Sequence, residues 1–461
     1  MDSARFSSRR FALPFFLLVA LAFPSRAQSP SGPLEVRWRA AVGQTTFRTT
    51  MAFTHGFVVI GTHGATLDGL DEGSDGVYLL SPETGTVERI LRAPGTGDLD
   101  VGGMAVAGDT LYFTTDNGWV VATGFDGRQR WSRRLGGKIR PAPALGFLNG
   151  DEAPDVVAGD ETGRLVAFDG VTGEVLWSHL SGSNEYGSRG YVAAPAIADL
   201  DGDGRDDVVA GARDGVLAAL SGVDGTLLWR AHPRWSSYGP TGIHASPSLA
   251  DLDADGRDEL ISAWSYSTLL VLDARSGAQR WTKAIHQGGL GGIEGFFASP
   301  IPVPAPQGGG GVFVEGTSWW GDREDGVVGV GPDGRRFKFV VGRVSATAVV
   351  TDLDGDGIQA AVVGTEEGEL LEIDAAGRAR VLARLGGPIE ASAMLADLDG
   401  DGAFELLVAS NDGVLTCFET GSKAPPLVSR FRGDSLLNQG RLGSVDLGAG
   451  FAEALRVPVE R

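Results

Sequence analysis

Cysteine, clustered positive charge and long apolar runs are all scarce in this sequence. The single cysteine, Cys417, excludes a disulfide framework and thiolate metal sites. The 39 lysines and arginines are outnumbered by 59 aspartates and glutamates, giving a net charge of −20, which argues against binding to a phosphate backbone. No stretch reaches the roughly 18 apolar residues that a membrane-spanning helix needs. The sequence therefore predicts a protein that neither binds nucleic acid nor spans a membrane.

The amino terminus has the pattern of an export signal. Arg9 and Arg10 precede an apolar run from Phe11 to Phe23, and Ser25-Arg26-Ala27 offers a cleavage site with small residues. We therefore expect residues 1–27 to be a signal peptide. The mature chain is predicted to be an exported monomer, either periplasmic, on the cell surface or secreted.

Glycine is abundant, with 70 residues, and much of it lies in a repeated hairpin. The segments GRLVAFDGVTGEVLW (163–177), GVLAALSGVDGTLLW (215–229) and STLLVLDARSGAQRW (267–281) align with one another. Each combines an alternating apolar run, a turn and a second short strand. Five weaker copies complete eight units at intervals of about 40–58 residues. This period predicts an all-β fold, an eight-bladed β-propeller of four-stranded antiparallel blades, with seven blades as the alternative.

The repeats also predict the domain organisation. A single propeller domain should span 28–445, followed by a carboxy-terminal tail at 446–461. Trp38 has no complete blade before it, so we expect residues 35–42 to supply a strand to the last blade and close the ring. The predicted blades cover about 44–91, 100–136, 137–182, 190–234, 239–287, 292–341, 342–387 and 388–431.

An acidic nine-residue loop, D-x-D-x-D-G-x-x-D/E, recurs between two apolar strands. Carboxylates at positions 1, 3, 5 and 9 of a tight loop can converge on a hard cation such as Ca²⁺. Three loops are complete, one has Ala360 at position 9 and should bind more weakly, and a degraded loop at 147–155 leaves metal binding open. The alternative is that these are solvated Asp-Gly turns. We predict about three to four structural Ca²⁺ ions held by Asp199, Asp201, Asp203 and Asp207; by Asp251, Asp253, Asp255 and Glu259; by Asp352, Asp354 and Asp356; and by Asp397, Asp399, Asp401 and Glu405.

Two family resemblances follow from these motifs. The strand-loop-strand units, such as YVAAPAIADLDGDGRDDVVAG (191–211), resemble FG-GAP (VCBS-type) repeats. The hairpins ending in D-x-x-T/S-G-x-x-x-W resemble the blades of pyrroloquinoline-quinone-type propellers, which include the barrel-assembly scaffold of the bacterial outer membrane. The second resemblance implies quinone-dependent dehydrogenase activity as one option. That family uses a vicinal disulfide against the cofactor, which one cysteine cannot supply, so we expect no quinone.

The remaining candidates concern a partner. Seven aromatic residues are expected in loops on the face opposite the acidic loops, where exposed rings would suit a carbohydrate or peptide, although packing of the rings within the loops is the alternative. Three polar residues before the innermost strands are candidates for the mouth of the central channel. We predict a non-catalytic binding or scaffold module for an extracytoplasmic protein or glycan; the alternative is a calcium-dependent polysaccharide lyase or hydrolase. The aromatic candidates are Tyr186, Trp235, Tyr238, Trp264, Tyr266, Trp319 and Trp320, and the mouth candidates are Arg140, His244 and Glu390.

Overall fold

Eight antiparallel sheets follow one another along the chain as the blades of a β-propeller, which confirms the predicted fold class. The computed structural model describes residues 34–64, 74–183, 189–232, 242–264, 268–284, 298–305, 311–316, 326–331 and 336–456. The predicted signal peptide, residues 1–27, lies outside them. The described residues form one compact unit that begins at Leu34. Each sheet is a meander, so the first loop and the last turn of a blade share one face of the propeller, while the middle loop and the link to the next blade share the other.

Four strands, consecutive in the chain, make up each of the first four blades. Blade 1 contains β2 (Met51–Thr54), β3 (Phe57–Thr62), β4 (Gly76–Leu80) and β5 (Val87–Leu91). Blade 2 contains β6 (Val101–Ala107), β7 (Thr110–Thr115), β8 (Trp119–Gly124) and β9 (Gln129–Arg134). Blade 3 contains β10 (Ala144–Gly146), β11 (Asp155–Gly159), β12 (Arg164–Phe168) and β13 (Val175–Leu180). Blade 4 contains β14 (Ala196–Ala198), β15 (Asp207–Gly211), β16 (Leu217–Leu220) and β17 (Leu227–Ala231).

The second half of the ring repeats this arrangement. Blade 5 contains β18 (Ser248–Asp251), β19 (Glu259–Trp264), β20 (Thr268–Asp273) and β21 (Gln279–Ala284). Blade 6 contains β22 (Ile301–Val303), β23 (Val312–Gly316), β24 (Gly326–Val330) and β25 (Arg336–Val340). Blade 7 contains β26 (Val349–Thr351), β27 (Ala360–Gly364), β28 (Glu369–Asp374) and β29 (Ala379–Arg384). Blade 8 joins β30 (Met394–Ala396), β31 (Glu405–Ser410) and β32 (Val414–Glu419) to the amino-terminal strand β1 (Glu35–Ala41).

Strand β1 is the outermost strand of blade 8. It runs antiparallel to β32, from the pair Glu35 and Glu419 to the pair Ala41 and Val414. The hydrogen bonds of this ladder join the first described strand to the last blade, so β32 does not remain an open edge.

Buried tryptophans join consecutive blades. The indole N–H of Trp177, in the fourth strand of blade 3, donates to the carbonyl of Gly222 in the last turn of blade 4, at 2.6 Å. Gly225 of that turn, at φ +73°, lies against the ring, and a Cβ there would come within 2.8 Å of ring carbons. Glycine therefore allows the turn to rest on the indole face. The same bond joins Trp38 to Pro82, Trp131 to Gly170 and Trp229 to Ala274.

The carboxy-terminal segment 427–447, which we call the strap, runs along the innermost strands of the ring. In blade 3, for example, the N–H of Leu145 donates to the carbonyl of Leu437 at 2.9 Å. Strand β33 (Arg441–Ser444) adds in parallel to β18 as a fifth strand of blade 5. Taken in chain order, the strap bonds to blades 7, 8, 1, 2, 3, 4, 5 and 6 through Val428, Ser429, Arg430, Leu436, Leu437, Gln439, Gly440 and Leu447.

The segment beyond the strap corrects the predicted domain boundary at residue 445. Helix α1 (Ala449–Arg456) buries Phe451 and Leu455, and Leu447 is buried just before it. Phe451 packs against Trp281 and Phe313 of blades 5 and 6. The tail predicted at 446–461 is therefore part of the core as far as Arg456, because its apolar residues are needed to cover these two rings.

Candidate functional site

The acidic loops on one face of the propeller bring carboxylates together. In loop 199–207, oxygen atoms of Asp199, Asp201 and Asp203 lie within 4.8 Å of one another. Asp199 also fixes the loop, because its carboxylate accepts the N–H groups of Gly202 at 2.7 Å and Gly204 at 3.1 Å. Such a set of oxygens can hold a hard divalent cation. Equivalent groups form from Asp251, Asp253 and Asp255, and from Asp352, Asp354 and Asp356.

Position 9 of the acidic loops also braces the blade. The carboxylate of Asp207 accepts the N–H of Leu200 at 2.9 Å and the N–H of Gly222 at 3.0 Å. It thereby ties the acidic loop to the last turn of the same blade. Glu259 accepts the N–H of Leu252 at 2.9 Å, and burial raises the pKa of this carboxyl to about 7. The assignment of Asp207 and Glu259 as metal ligands stays a prediction.

In loop 397–405, a positively charged side chain lies beside the carboxylates. Its cluster comprises Asp397, Asp399 and Glu405, and Asp401 accepts the N–H of Ala403 at 2.6 Å. Arg37 of the closing strand lies 2.9 Å from Asp399 and 3.5 Å from Glu405. The positive charge of Arg37 therefore neutralises part of this cluster and links it to ring closure.

The degraded loop at 147–155 carries an amide where the other loops carry carboxylate clusters. The Asn149 amide nitrogen lies 3.0 Å from Asp151, 3.1 Å from Asp155 and 3.1 Å from Asp169. No cluster of three metal-ligating side chains occurs in the described residues of this loop. The two N–H groups of this uncharged amide are shared among the carboxylates around it, and metal binding by this loop stays untested.

The mouth of the channel on the opposite face collects ionisable side chains. Arg140 pairs with Glu161 at 2.5 Å, and Glu390 accepts a hydrogen bond from Asn411 at 2.9 Å. Burial raises the pKa of Glu390 to about 7, with nearby Glu366 adding to the effect. Burial lowers the pKa of His244 to about 4, and Arg213 and Arg48 lower it further.

Arg48 lies near the three predicted mouth residues and belongs to no sequence motif. Its charge interacts with those of Arg140 and Glu390, and its side chain lines a cavity together with His244. That cavity leaves about 10 Å³ for the centre of a water molecule, which is room for about one water. Of the three predicted mouth residues, His244 lines this cavity, whereas Arg140 and Glu390 do not line it and act on Arg48 through their charges.

A second acidic group lies beside the mouth and was missed by the sequence analysis. Asp98, Asp100 and Asp116 have oxygens within 4.8 Å of one another, and the Lys138 ammonium is 2.8 Å from Asp98 and 3.4 Å from Asp116. No regular spacing relates these residues, because they come from a link between blades and a loop within blade 2. Next to them, an open depression of about 460 Å³ is lined by Asp116, Asn117, Arg134, Leu135, Gly136, Gly137 and Lys138.

The aromatic candidates have a different outcome. Trp264 is 1 % exposed, and its indole N–H donates to the carbonyl of Gly215 at 2.9 Å. The expectation of an exposed ring at this position is therefore wrong, because Trp264 ends a strand and packs between blades 4 and 5. The other six, Tyr186, Trp235, Tyr238, Tyr266, Trp319 and Trp320, lie outside the described residues.

Comparison with known protein families assigns the chain to one of them. The sequence model of a family described as outer membrane protein assembly factor BamB matches residues 35–289 and 213–439. The chain belongs to this family. No curated protein sequence matches it.

Solved structures similar to this BamB-family chain support the fold alone. The crystal structure of BamB from Moraxella catarrhalis is 15 % identical, with a TM-score of 0.56 over 82 % of this chain and 97 % of that one. Quinohemoprotein alcohol dehydrogenase from Comamonas testosteroni is 15 % identical, with a TM-score of 0.60 over 85 % of this chain and 77 % of that one. Sqt1 from Saccharomyces cerevisiae is 14 % identical, with a TM-score of 0.58 over 84 % and 99 % of the respective chains. Proteins with names as different as assembly factor and alcohol dehydrogenase share this architecture, so activity must be argued from the site.

The residues of this BamB-family chain do not fit a quinone cofactor. Cys417 is fully buried between β31 and β1, where burial raises its pKa to about 12, and the chain has no second cysteine to form a disulfide with it. The cavity at the mouth, lined by Phe47, Arg48 and His244 among others, admits about one water molecule, which is far smaller than a ring system. Within the described residues, no helix is both long enough and apolar enough to cross a membrane.

Proposed function

We propose that this BamB-family protein is an exported, calcium-stabilised propeller that acts as a non-catalytic scaffold. It binds an extracytoplasmic protein or glycan through the face that carries the channel mouth. The observation that carries the proposal is the division of the two faces: acidic loops on one, and on the other an open, charged depression beside a nearly closed mouth. A shallow charged surface suits a macromolecular partner better than a small substrate.

Two of the predicted mouth residues are already bonded to neighbouring side chains, which favours a scaffold over an enzyme. Arg140 is paired with Glu161, and Glu390 is bonded to Asn411, so neither is poised on an open substrate cavity. In the depression, Arg134 and Lys138 are the cationic side chains, and Lys138 is also paired with Asp98 and Asp116. They would meet acidic groups of a partner, such as carboxylates of a protein or of an acidic glycan.

Charge reversal tests the partner surface. Arg134→Glu and Lys138→Glu should each weaken binding to a glycan array or to purified envelope proteins by about tenfold, because they replace attraction by repulsion. Arg128→Glu provides the matched control, since Arg128 lies in a turn on the opposite face with its side chain 90 % exposed. Equal binding by all three variants would contradict this location of the partner surface.

Calcium binding is supported by the four carboxylate clusters and by their resemblance to FG-GAP-type loops. A cation that binds only the folded state must raise its stability. The melting temperature should therefore be higher in millimolar Ca²⁺ than in EDTA, and Asp201→Asn should reduce the difference. Equal melting temperatures under both conditions would contradict structural calcium.

Fusion of residues 1–27 to a reporter that is active only outside the cytoplasm tests export separately.

A calcium-dependent polysaccharide lyase or hydrolase is the second candidate, and one observation favours it. Glu390 has its pKa raised to about 7, which suits a general acid or base at neutral pH. If Glu390 acts in this way, the wild-type protein should release products from an acidic polysaccharide, and Glu390→Gln should abolish release while leaving binding intact. Binding without turnover by the wild type would favour the scaffold.

A further inference from the structure

The carboxylates of Asp98, Asp100 and Asp116 form a group that the proposed function does not use. They lie on the face that carries the channel mouth, because Asp98 and Asp100 belong to the link between blades 1 and 2 and Asp116 to the middle loop of blade 2. One oxygen of each carboxylate lies within 4.8 Å of the other two. The backbone holds two of these residues side by side, since the N–H of Asp116 donates to the carbonyl of Asp100 at 2.9 Å.

Asp100 is the member of this group that the protein stabilises least. It is 1 % exposed, and neither of its carboxylate oxygens has a hydrogen-bond partner among the described residues. Within those residues, the basic group within 4.0 Å of it is the imidazole of His63, whose Nδ1 lies 3.0 Å from Oδ2 without the geometry of a hydrogen bond. Oδ1 of Asp98 is also buried without a hydrogen-bond partner in the described part of the chain. Buried carboxylate oxygens in this condition lose their hydration without compensation.

The acidic loops on the opposite face stabilise their carboxylates differently. Asp199 accepts the N–H groups of Gly202 at 2.7 Å and Gly204 at 3.1 Å. Hydrogen bonds of this kind favour the ionised carboxylate even without a metal ion. Asp100 has no such donors among the described residues, so a bound cation would be its main source of stabilisation.

The basic side chains nearby neutralise the group only in part. The ammonium of Lys138 lies 2.8 Å from Asp98 and 3.4 Å from Asp116, on a side chain that is 37 % exposed. Arg140 lies 3.9 Å from Asp116 and is paired more closely with Glu161, at 2.5 Å. Burial raises the pKa of the Asp116 carboxyl above its usual range, although the basic side chains around it oppose the rise.

The chemistry of the group suits a hard divalent cation. Carboxylate oxygens are the ligands that Mg²⁺, Mn²⁺ and Ca²⁺ prefer, and water molecules can complete the coordination shell. Asp116 also lines the open depression of about 460 Å³, through which a hydrated ion can reach the carboxylates. Lys138 can move aside as the ion binds, because its side chain is partly exposed and its four-carbon stem is flexible.

We propose that Asp98, Asp100 and Asp116 bind one hard divalent cation on the face that carries the channel mouth, with Lys138 as a competing positive charge. The ion would join the link between blades 1 and 2 to the middle loop of blade 2. This site is separate from the acidic loops, and it depends neither on calcium binding there nor on the scaffold function.

Mn²⁺ is the probe that tests the site. Anomalous difference maps from crystals soaked in MnCl₂ should show a peak enclosed by the three carboxylates. In equilibrium dialysis, Asp100→Asn should bind about one Mn²⁺ per chain fewer than the wild type, because it removes a charged ligand. Asp201→Asn, in an acidic loop, is the matched control and should leave the peak beside Asp100 in place. A map without this peak, or equal Mn²⁺ counts for the wild type and Asp100→Asn, would overturn the proposal.

Melting curves separate loss of the ion from loss of the fold. In EDTA, Asp100→Asn should melt at least as high as the wild type, because it removes a buried charge that has no hydrogen bonds. In MnCl₂, the melting temperature of the wild type should rise more than that of the variant. If Asp100→Asn fails to fold, Asp98→Asn replaces it at a more exposed position and should lose the same ion.

Lys138→Met separates a metal site from a network of ion pairs. The variant lacks the competing ammonium, so the dissociation constant of the Mn²⁺ ion that Asp100→Asn loses should fall by about threefold or more. Arg128→Met, which removes a positive charge on the opposite face, should leave that constant unchanged. If Mn²⁺ bound at this site only after Lys138→Met, lysine would be the natural counter-ion of the group and the proposal would be wrong.

Discussion

The acidic loops require particular backbone torsion angles at single positions as well as negative charge. Position 6 was expected to need glycine, and Gly204, Gly256, Gly357 and Gly402 have φ between +82° and +87°. Position 4 also turns to positive φ, which the loop pattern did not predict. It is glycine in three loops but Ala254 in the fourth, at φ +58°. An L-residue in this region costs about 1–2 kcal/mol.

Ala254→Gly should therefore stabilise the protein. The relief of strain exceeds the extra entropy of glycine in the unfolded chain, so the free energy of unfolding should rise by about 0.5–1 kcal/mol. Chemical denaturation in EDTA measures the change without a contribution from calcium. Ala403→Gly, in the equivalent loop of blade 8 but without positive φ, should be neutral or destabilising. A loss of stability in Ala254→Gly would contradict strain at this position.

Repeat patterns in the sequence could single out some residues at the channel mouth but not others. Arg140, His244 and Glu390 were singled out because they occupy the same position of three repeats, and their role in binding stays a prediction. Arg48 was not, because blade 1 lacks the acidic loop that aligns the other blades and the residue belongs to no motif. The group of Asp98, Asp100 and Asp116 was not predictable for a related reason. The fold of blade 2 brings these residues together, and no regular spacing in the sequence relates them.

At the scale of the element, consecutive blades are joined where the last turn of one blade packs on a tryptophan of the blade before it. The hairpin repeat predicted both the turns and the buried tryptophans, since alternating apolar residues followed by a turn that contains glycine recur in every blade. The bond from each indole to the next turn was not predictable, because it joins residues about 40 positions apart.

Gly225→Ala should cost more than the same change at a turn with no ring beneath it. Both Gly225 and Gly421 have positive φ, +73° and +68°, but a Cβ at Gly225 would come within 2.8 Å of Trp177, whereas Gly421 has open space. Gly421→Ala should lose about 1–2 kcal/mol from backbone strain, and Gly225→Ala about 2–5 kcal/mol in total. Urea denaturation of the two variants checks this. Equal losses would mean that the indole contact is easily displaced.

The acidic loops predict a dependence on pH in the absence of metal. The pKa of Glu259 is raised from 4.5 to about 7 in the folded state by burial. Between these values the folded state holds a proton that the unfolded state releases, so stability falls as pH rises through this window. In EDTA, the free energy of unfolding should therefore decrease by about 1–3 kcal/mol more in the wild type than in Glu259→Gln between pH 4.5 and 7.5. Parallel pH profiles for the two proteins would contradict this origin.

At the scale of the whole molecule, closure depends on the two ends of the described chain. The eight blades were predictable from local repeats, and the placement of β1 beside β32 follows from Trp38 occupying the position of a fourth-strand tryptophan. The strap was not predictable as a whole-ring element, because its contacts use mainly backbone groups and leave no periodic pattern. Arg432 of the strap, for example, is buried and donates to the backbone carbonyl groups of Ala194 and Pro195.

Removal of the strap should weaken the entire ring. A protein that ends at residue 424 loses the hydrogen bonds of 427–447 to the innermost strands and the apolar cover of Phe451 and Leu455. Its melting temperature should fall by about 10 °C or more, since several kcal/mol of packing are lost at once. A protein that ends at residue 456 is the matched control and should melt like the full chain. Equal melting of the two truncated proteins would show that the strap is not structural.

The route of the strap also has a consequence for the order of folding. Each blade is built from pairings close in sequence, but β1 with β32 and the strap with blades 2 to 6 join residues more than a hundred positions apart. Contacts of such long separation form late and slowly. Until the last 35 or so residues are available, the innermost strands remain exposed to other chains. This interval is when the protein is most prone to aggregate and most dependent on chaperones.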